Sequence, residues 1–269
     1  MDRKKLVFGM PTLIENRTLE ENIGLCRELG LKFVELNMNL PDYQTDRLSE
    51  TERFREAASE AGIFYTIHLD EDLDIANFNP LVRTAYQKTA MLAIGAAKVL
   101  KAPVLNMHMH HGVHFTLPDR KVQLYSEHKD LYLREFKAFR AQCAEAAGDS
   151  GILICIENTE GFRDYEKEAV ELLLESPVFG LTWDIGHSKA EGEKDLPFMT
   201  GHQDRLKHFH IHDCIESTGK NHLALGDGEI DLAARLELAE VCGARCVLET
   251  KTKAALIQSV SWLKERGYL

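Results

Sequence analysis

Apolar runs of strand length alternate with amphipathic segments of helix length from one end of the chain to the other. Leu6–Met10 reads as the first strand; the helix after it opens on Thr18-Leu-Glu-Glu, a capping-box pattern, and closes at Gly30. Further strands are predicted at 32–37, 63–68, 103–108, 152–157, 178–184, 208–213 and 246–250. Helices are predicted between them at about 47–61, 80–100, 118–147, 166–175, 196–206, 231–242 and 253–266. Gly62 and Gly148 stop two of these helices, and Pro80 opens another at a first-turn position where its missing N–H is not needed. Eight strand–helix units predict an α/β fold closed into a (β/α)8 barrel, and 269 residues fit one such domain.

The polar residues that end the apolar runs carry the chemistry. His68 closes Tyr65-Thr-Ile-His, His108 closes Val104-Leu-Asn-Met-His, and Glu157 closes Ile154-Cys-Ile-Glu. Asp184 closes Leu181-Thr-Trp-Asp, Glu249 closes Cys246-Val-Leu-Glu, and Phe209-His-Ile-His-Asp ends in two histidines and an aspartate. In a parallel barrel every carboxyl end opens on the same face, so these groups share one mouth. The segments after the third, fourth and seventh strands (69–79, 110–117 and 214–229) are long, and are expected to cover that mouth.

Composition narrows the partners. Lys and Arg number 32 against 43 Asp and Glu, and the formal charge of -11 repels a phosphate backbone, so nucleic acid is not an expected partner. The six cysteines show no zinc-type CxxC pairing, and Cys155 sits inside an apolar strand as a small hydrophobe, which predicts a reducing cytoplasm. Met1-Asp-Arg-Lys-Lys-Leu is too short for a signal segment, and no apolar stretch approaches a membrane span. A homo-oligomer is compatible with this composition.

Glu157, Asp184, His210 and Glu249 form the sharpest constellation. Three carboxylates and an imidazole converging in an apolar barrel repel one another unless a divalent cation sits between them. The bland alternative is that each acidic group caps its strand and bonds a neighbouring helix amide. Oxygen-rich ligation with one nitrogen suits one Mg²⁺, Mn²⁺, Co²⁺ or Zn²⁺. Around this set, Glu35 and Asn37 share a face of the second strand, where Glu35 either contacts substrate hydroxyls or bonds the barrel interior. His212 either binds substrate or hydrogen-bonds a ligand from behind. Lys251, two residues past Glu249, binds an anionic substrate group or forms a surface ion pair.

The ordered motifs Ile67-His68, Leu105-Asn-Met-His108, Ile156-Glu157-Asn158, Trp183-Asp184-Ile-Gly-His187, His210-Ile-His-Asp213, Leu225-Gly-Asp-Gly228 and Leu248-Glu249 resemble the xylose isomerase-like TIM barrels, the superfamily of endonuclease IV and many sugar isomerases and epimerases. The resemblance spans nearly the whole chain. It implies a metal held by Glu157, Asp184, His210 and Glu249, with His187 near the substrate. It also implies that Glu157 and Glu249 act as acid and base on opposite faces of a ketose. In the endonuclease branch a third metal needs Asp-x-His where this chain has Lys220-Asn221-His222. His68, His108 and Glu157 match the ligands of a second zinc in that branch; in sugar-active relatives such histidines are substrate contacts.

The reading that results is a divalent-metal-dependent isomerase or epimerase acting through an enediolate on a small polyhydroxylated carbonyl compound. The catalytic groups are Glu157 and Glu249, and the substrate contacts are His68, His108, His187, His212, Glu35 and Lys251. The alternatives are an endonuclease IV-like phosphoesterase, a dehydratase of keto-inositols, and a sugar-sensing barrel without catalysis.

Overall fold

The computed structural model describes residues 5–269. Met1–Lys4, and with them the reading of the amino-terminal leader, lie outside the described residues. Eight parallel strands form a closed barrel: β1 (Val7–Pro11), β2 (Phe33–Asn37), β3 (Phe64–His68), β4 (Val104–His108), β5 (Leu153–Glu157), β6 (Phe179–Asp184), β7 (Leu206–Ile211) and β8 (Arg245–Leu248). Each pairs with its sequence neighbours and β8 closes on β1, which leaves no free sheet edge. Among the described residues no helix is long and apolar enough to cross a membrane.

Alternation explains why these strands read as almost continuously apolar. On β5, Cys155 and Glu157 point one way and Ile154 and Ile156 the other, and all four are buried because both faces of a parallel sheet are covered. On β6, Trp183 faces away from Asp184 and packs against Phe209, with the Arg235 guanidinium 4.6 Å from its ring centre. Register then levels the polar ends. His68 pairs with Asn37, His108 with Glu157, and Asp184 with His210.

Several predicted elements are redrawn. The expected helix over 118–147 begins late: His114–Thr116 and Lys121–Gln123 form an antiparallel hairpin, followed by helices Leu124–Glu127 and Lys129–Ala147. Pro118-Asp-Arg supplies turn chemistry, and the Leu117 N–H bonds the Arg120 carbonyl at 2.8 Å, so these residues leave the helical register. The segment over 47–61 is divided into Thr45–Leu48 and Thr51–Ala61. That over 196–206 shrinks to Leu196–Gly201 plus a single 3-10 turn, because Leu206 already belongs to β7. The strand predicted to Asp213 stops at Ile211, and Asp213–Ile215 turns out to pair antiparallel with Lys220–Leu223. A helix at Ile185–Ala190 was not expected; it starts where the Asp184 carboxylate accepts the His187 N–H at 2.6 Å.

Candidate metal and active site

At the carboxyl ends of the strands the side chains of Glu157, Asp184, His210 and Glu249 each bring one ligand atom within 4.8 Å of the others. His210 Nδ1 is the centre of the group: Glu249 Oε2 lies at 3.0 Å, Glu157 Oε1 at 3.2 Å and Asp184 Oδ2 at 4.0 Å. His210 and Asp184 are fully buried and Glu157 nearly so. Glu249 Oε2 is buried without a hydrogen-bond partner among the described residues. A mouth opening of about 560 Å³ runs above this cluster, lined by Glu71, His108, His111, His187, His222 and Lys251 among others. Three of the long segments that follow strands contribute to that lining, together with Thr159 and Glu160 after β5. A larger groove of about 640 Å³, near Arg55, Ser59 and Val99, has only exposed ionisable residues in its walls and gathers no buried ionisable cluster.

Electrostatics follow from burial set against neighbouring charge. Burial pushes the Glu157 carboxyl up, but the His210 and His108 imidazoles outweigh it and hold the group well below the usual range. Glu249 behaves alike: burial opposes ionisation, and His210, His222 and Lys251 overcome it. Asp184 is lowered by His212 and His187 against its own burial. Burial would neutralise His210, yet the Glu157, Glu249 and Glu35 charges raise it well above its ordinary value. A buried imidazolium among carboxylates is the protein's own way of supplying positive charge at a point where three oxygens and one nitrogen converge. A divalent cation would offer more positive charge there and would give the Glu249 oxygen, which makes no aligned hydrogen bond, a partner, so the donor set fits such an ion.

The remaining residues singled out in the sequence fall into two groups. His108 Nε2 is 3.1 Å and His68 Nε2 3.6 Å from the same Glu157 oxygen, and Asn106 also donates to it. Burial works against a charge on His68, but its bond to Glu157 raises it to about 9. His187 stands in the pocket wall, 3.9 Å from Asp184 Oδ2. Lys251 also lines the pocket and holds Glu249 Oε1 at 2.9 Å. Glu35 and His212 do not face the opening. Glu35 is buried in the barrel interior, bonded by Thr66 at 2.7 Å and His208 at 2.9 Å, and His212 is buried behind Asp184. Glu35 is lowered by His210 and His208 in spite of its burial.

Some members of the site were not singled out in the sequence. His222 stacks on His212 with ring centres 4.2 Å apart, donates its backbone N–H to His212 Nδ1 at 2.8 Å, and places Nε2 3.8 Å from Glu249 Oε1. Its φ of 55° lies in the left-handed region, and only its place in Lys220-Asn221-His222 hinted at it. Asn158 grips Asp184 from both sides, accepting its N–H at 2.8 Å and donating to its carbonyl at 3.0 Å, and is itself held by Asp195. The Leu225-Gly-Asp-Gly228 motif has an architectural part: buried Asp213 accepts the Gly226 N–H at 3.0 Å and the Ile230 N–H at 3.2 Å, tying this loop down.

The chain is 24% identical over 222 residues to the uncharacterized protein MJ1188 of Methanocaldococcus jannaschii, covering 79% of this chain and 76% of that protein. Among solved structures, a D-tagatose 3-epimerase-like protein superposes with a TM-score of 0.78 at 23% identity, covering 97% of this chain and 96% of the other. The 3-keto-D-glucoside 4-epimerase YcjR of E. coli gives 0.75 at 15% identity, covering 97% of this chain and 100% of its own. D-psicose 3-epimerase of Clostridium cellulolyticum H10 gives 0.72 at 14% identity, covering 98% and 99%. At these identities the structural likeness establishes the fold. The profile of the xylose isomerase-like TIM barrels matches residues 23–266, and the chain belongs to that family.

Proposed function

We propose that this protein is a divalent-metal-dependent isomerase or epimerase of a small sugar, keto-polyol or related hydroxy-carbonyl compound. The observation that carries the reading is the pair of carboxylates Glu157 and Glu249, each with one oxygen about 3 Å from His210 Nδ1 and both lining one open pocket. Likeness of fold to a D-tagatose 3-epimerase-like protein and to a D-psicose 3-epimerase supports it.

Glu157, Asp184, His210 and Glu249 would hold a divalent ion, which would supply Lewis acidity to offset negative charge developing on substrate oxygens. The residues of the chain do the rest. One glutamate takes the proton from the carbon beside the carbonyl, leaving an enediolate, and the other, or the same one, returns it on the other face or carbon. Lys251 favours the ionised form of Glu249, the state that a base requires. His187 donates to a substrate oxygen from the pocket wall, His108 steadies Glu157 while offering a polar edge to hydroxyls, and His68, buried outside the pocket lining, supports Glu157 from below. A possible second metal at His68, His108 and Glu157 is subordinate, since the compact group around Glu157 includes His68 and His210 but not His108. The charge of -11 and the carboxylates Glu71 and Glu160 in the mouth speak against a nucleic-acid substrate.

The test is turnover in D₂O. D-tagatose, D-fructose, keto-inositols and hydroxypyruvate are incubated with metal-loaded protein, and deuterium at the carbon next to the carbonyl is read by NMR. Uptake with one of them, lost on chelation, is expected. Metal-dependent nicking of an abasic-site duplex, with no exchange into any carbonyl compound, would put the protein in the phosphoesterase branch instead.

A further inference from the structure

Barrel interiors of this architecture are filled by layers of branched apolar side chains. Here one layer holds a carboxylate and two imidazoles. Glu35 on β2 and His208 on β7 are 173 residues apart and not on adjacent strands, yet they meet with Thr66 and His210 in a cluster with essentially no solvent contact. Burying an ion in this way costs stability, and an apolar layer of equal volume would pack at less cost. The arrangement of donors gives the layer a direction. Thr66 Oγ1 donates to Glu35 Oε2 at 2.7 Å and His208 Nε2 donates to the same oxygen at 2.9 Å. The other oxygen, Oε1, lies 2.9 Å from His210 Nε2 in a charge contact bent away from the ring's N–H direction, so that nitrogen makes no aligned hydrogen bond among the described residues. On the far side of the same ring, Nδ1 faces Glu157 and Glu249 at 3.2 and 3.0 Å.

We propose that Glu35 is a positioning residue: its charge keeps one ring proton of His210 on Nε2, so that when an ion displaces the other proton it is Nδ1 that turns a lone pair toward the carboxylate cluster. Thr66 and His208 hold the carboxylate in place. This rests on the metal-site reading above. An imidazole ligand oriented by a carboxylate on its other nitrogen typically loses 10- to 100-fold in metal affinity when that carboxylate is removed.

The experiment uses metal-stripped full-length protein titrated with Co²⁺, whose visible absorption reports ligand number and geometry. Wild type is expected to bind Co²⁺. Glu35→Gln, which keeps shape but can hydrogen-bond either ring tautomer, is expected to bind about 10- to 100-fold more weakly with an altered absorption band, and Glu35→Asp to recover part of the affinity. If Glu35→Gln does not fold, Thr66→Val, which frees Glu35 without removing its charge, is expected to weaken binding severalfold. Wild-type affinity and an unchanged band in Glu35→Gln, or in Thr66→Val when the first variant is unfolded, overturns the role of Glu35 and leaves the metal site standing. No Co²⁺ binding by wild type overturns both.

Discussion

The His212 imidazole sits against both carboxylate oxygens of Asp184, with Nε2 3.0 Å from Oδ1 and 3.1 Å from Oδ2. The same carboxylate opens the helix Ile185–Ala190, so one side chain ends a strand, starts a helix and faces the site. The close packing depends on Gly186: a Cβ there would lie 1.9 Å from His212 Cε1.

Gly186→Ala should therefore force His212 off Asp184. Overpacking of this kind costs about 1–3 kcal/mol, read as a lowered midpoint of denaturant unfolding. His212→Ala in the same chain opens the space that the new methyl needs, so the double variant should be more stable than the sum of the single changes implies. Additive losses would mean that the two residues do not compete for that space.

Purified protein should carry close to one tightly bound divalent ion, because the four converging ligands are otherwise compensated only by neighbouring imidazolium charge and the Lys251 ammonium. Glu157→Gln combined with Asp184→Asn should empty the site in elemental analysis. Full occupancy in that double variant would place the metal elsewhere.

Replacing Glu157 or Glu249 by Gln keeps size and one coordinating oxygen but removes the base. Each variant should lose about 10²- to 10⁴-fold in kcat while retaining metal. Near-wild-type rates in both, with metal bound, would make the glutamates ligands only and move the search for a base to His68, His108 and His187.

Glu166 offers a pH test away from the metal ligands. Its side chain is fully buried, 2.5 Å from His111 Nδ1, and burial, only partly offset by the Arg163 N–H, raises it from an ordinary 4.5 to about 6. The folded state thus favours the neutral acid. Its contribution is complete below pH 4.5 and is lost as pH rises through about 6, where the folded protein must ionise a buried group. The difference is on the order of 2 kcal/mol. Glu166→Gln should remove that slope from unfolding free energies measured between pH 4 and about 7; an unchanged slope would assign it to another group.

Much of the barrel was legible because its signal is local. Runs such as Ile152–Glu157 and Val178–Asp184 are apolar on both faces, as strands covered by helices must be, and Gly30 and Gly62 mark helix ends in left-handed conformations. The hairpin at His114–Gln123 was missed because its alternation is short and exposed, and the residues beyond it carry a helical pattern strong enough to absorb it. The same limit applied at the carboxyl end of β7, where the chain changes partner from β8 to Lys220–Leu223 with no change in composition.

The sequence by itself determined that polar groups would end the strands and, through parallel closure, share one mouth; Glu157, Asp184, His210 and Glu249 follow from position along the chain alone. Which nitrogen of His210 faces them, that Glu35 sits beneath His210 and not in the pocket, and that His222 reaches Glu249 were decided only by the tertiary structure. The reason is physical. A strand's period of two assigns a side chain to a face, whereas contacts across the barrel depend on strand register and on loop conformations such as the left-handed turn at His222, neither of which leaves a local trace.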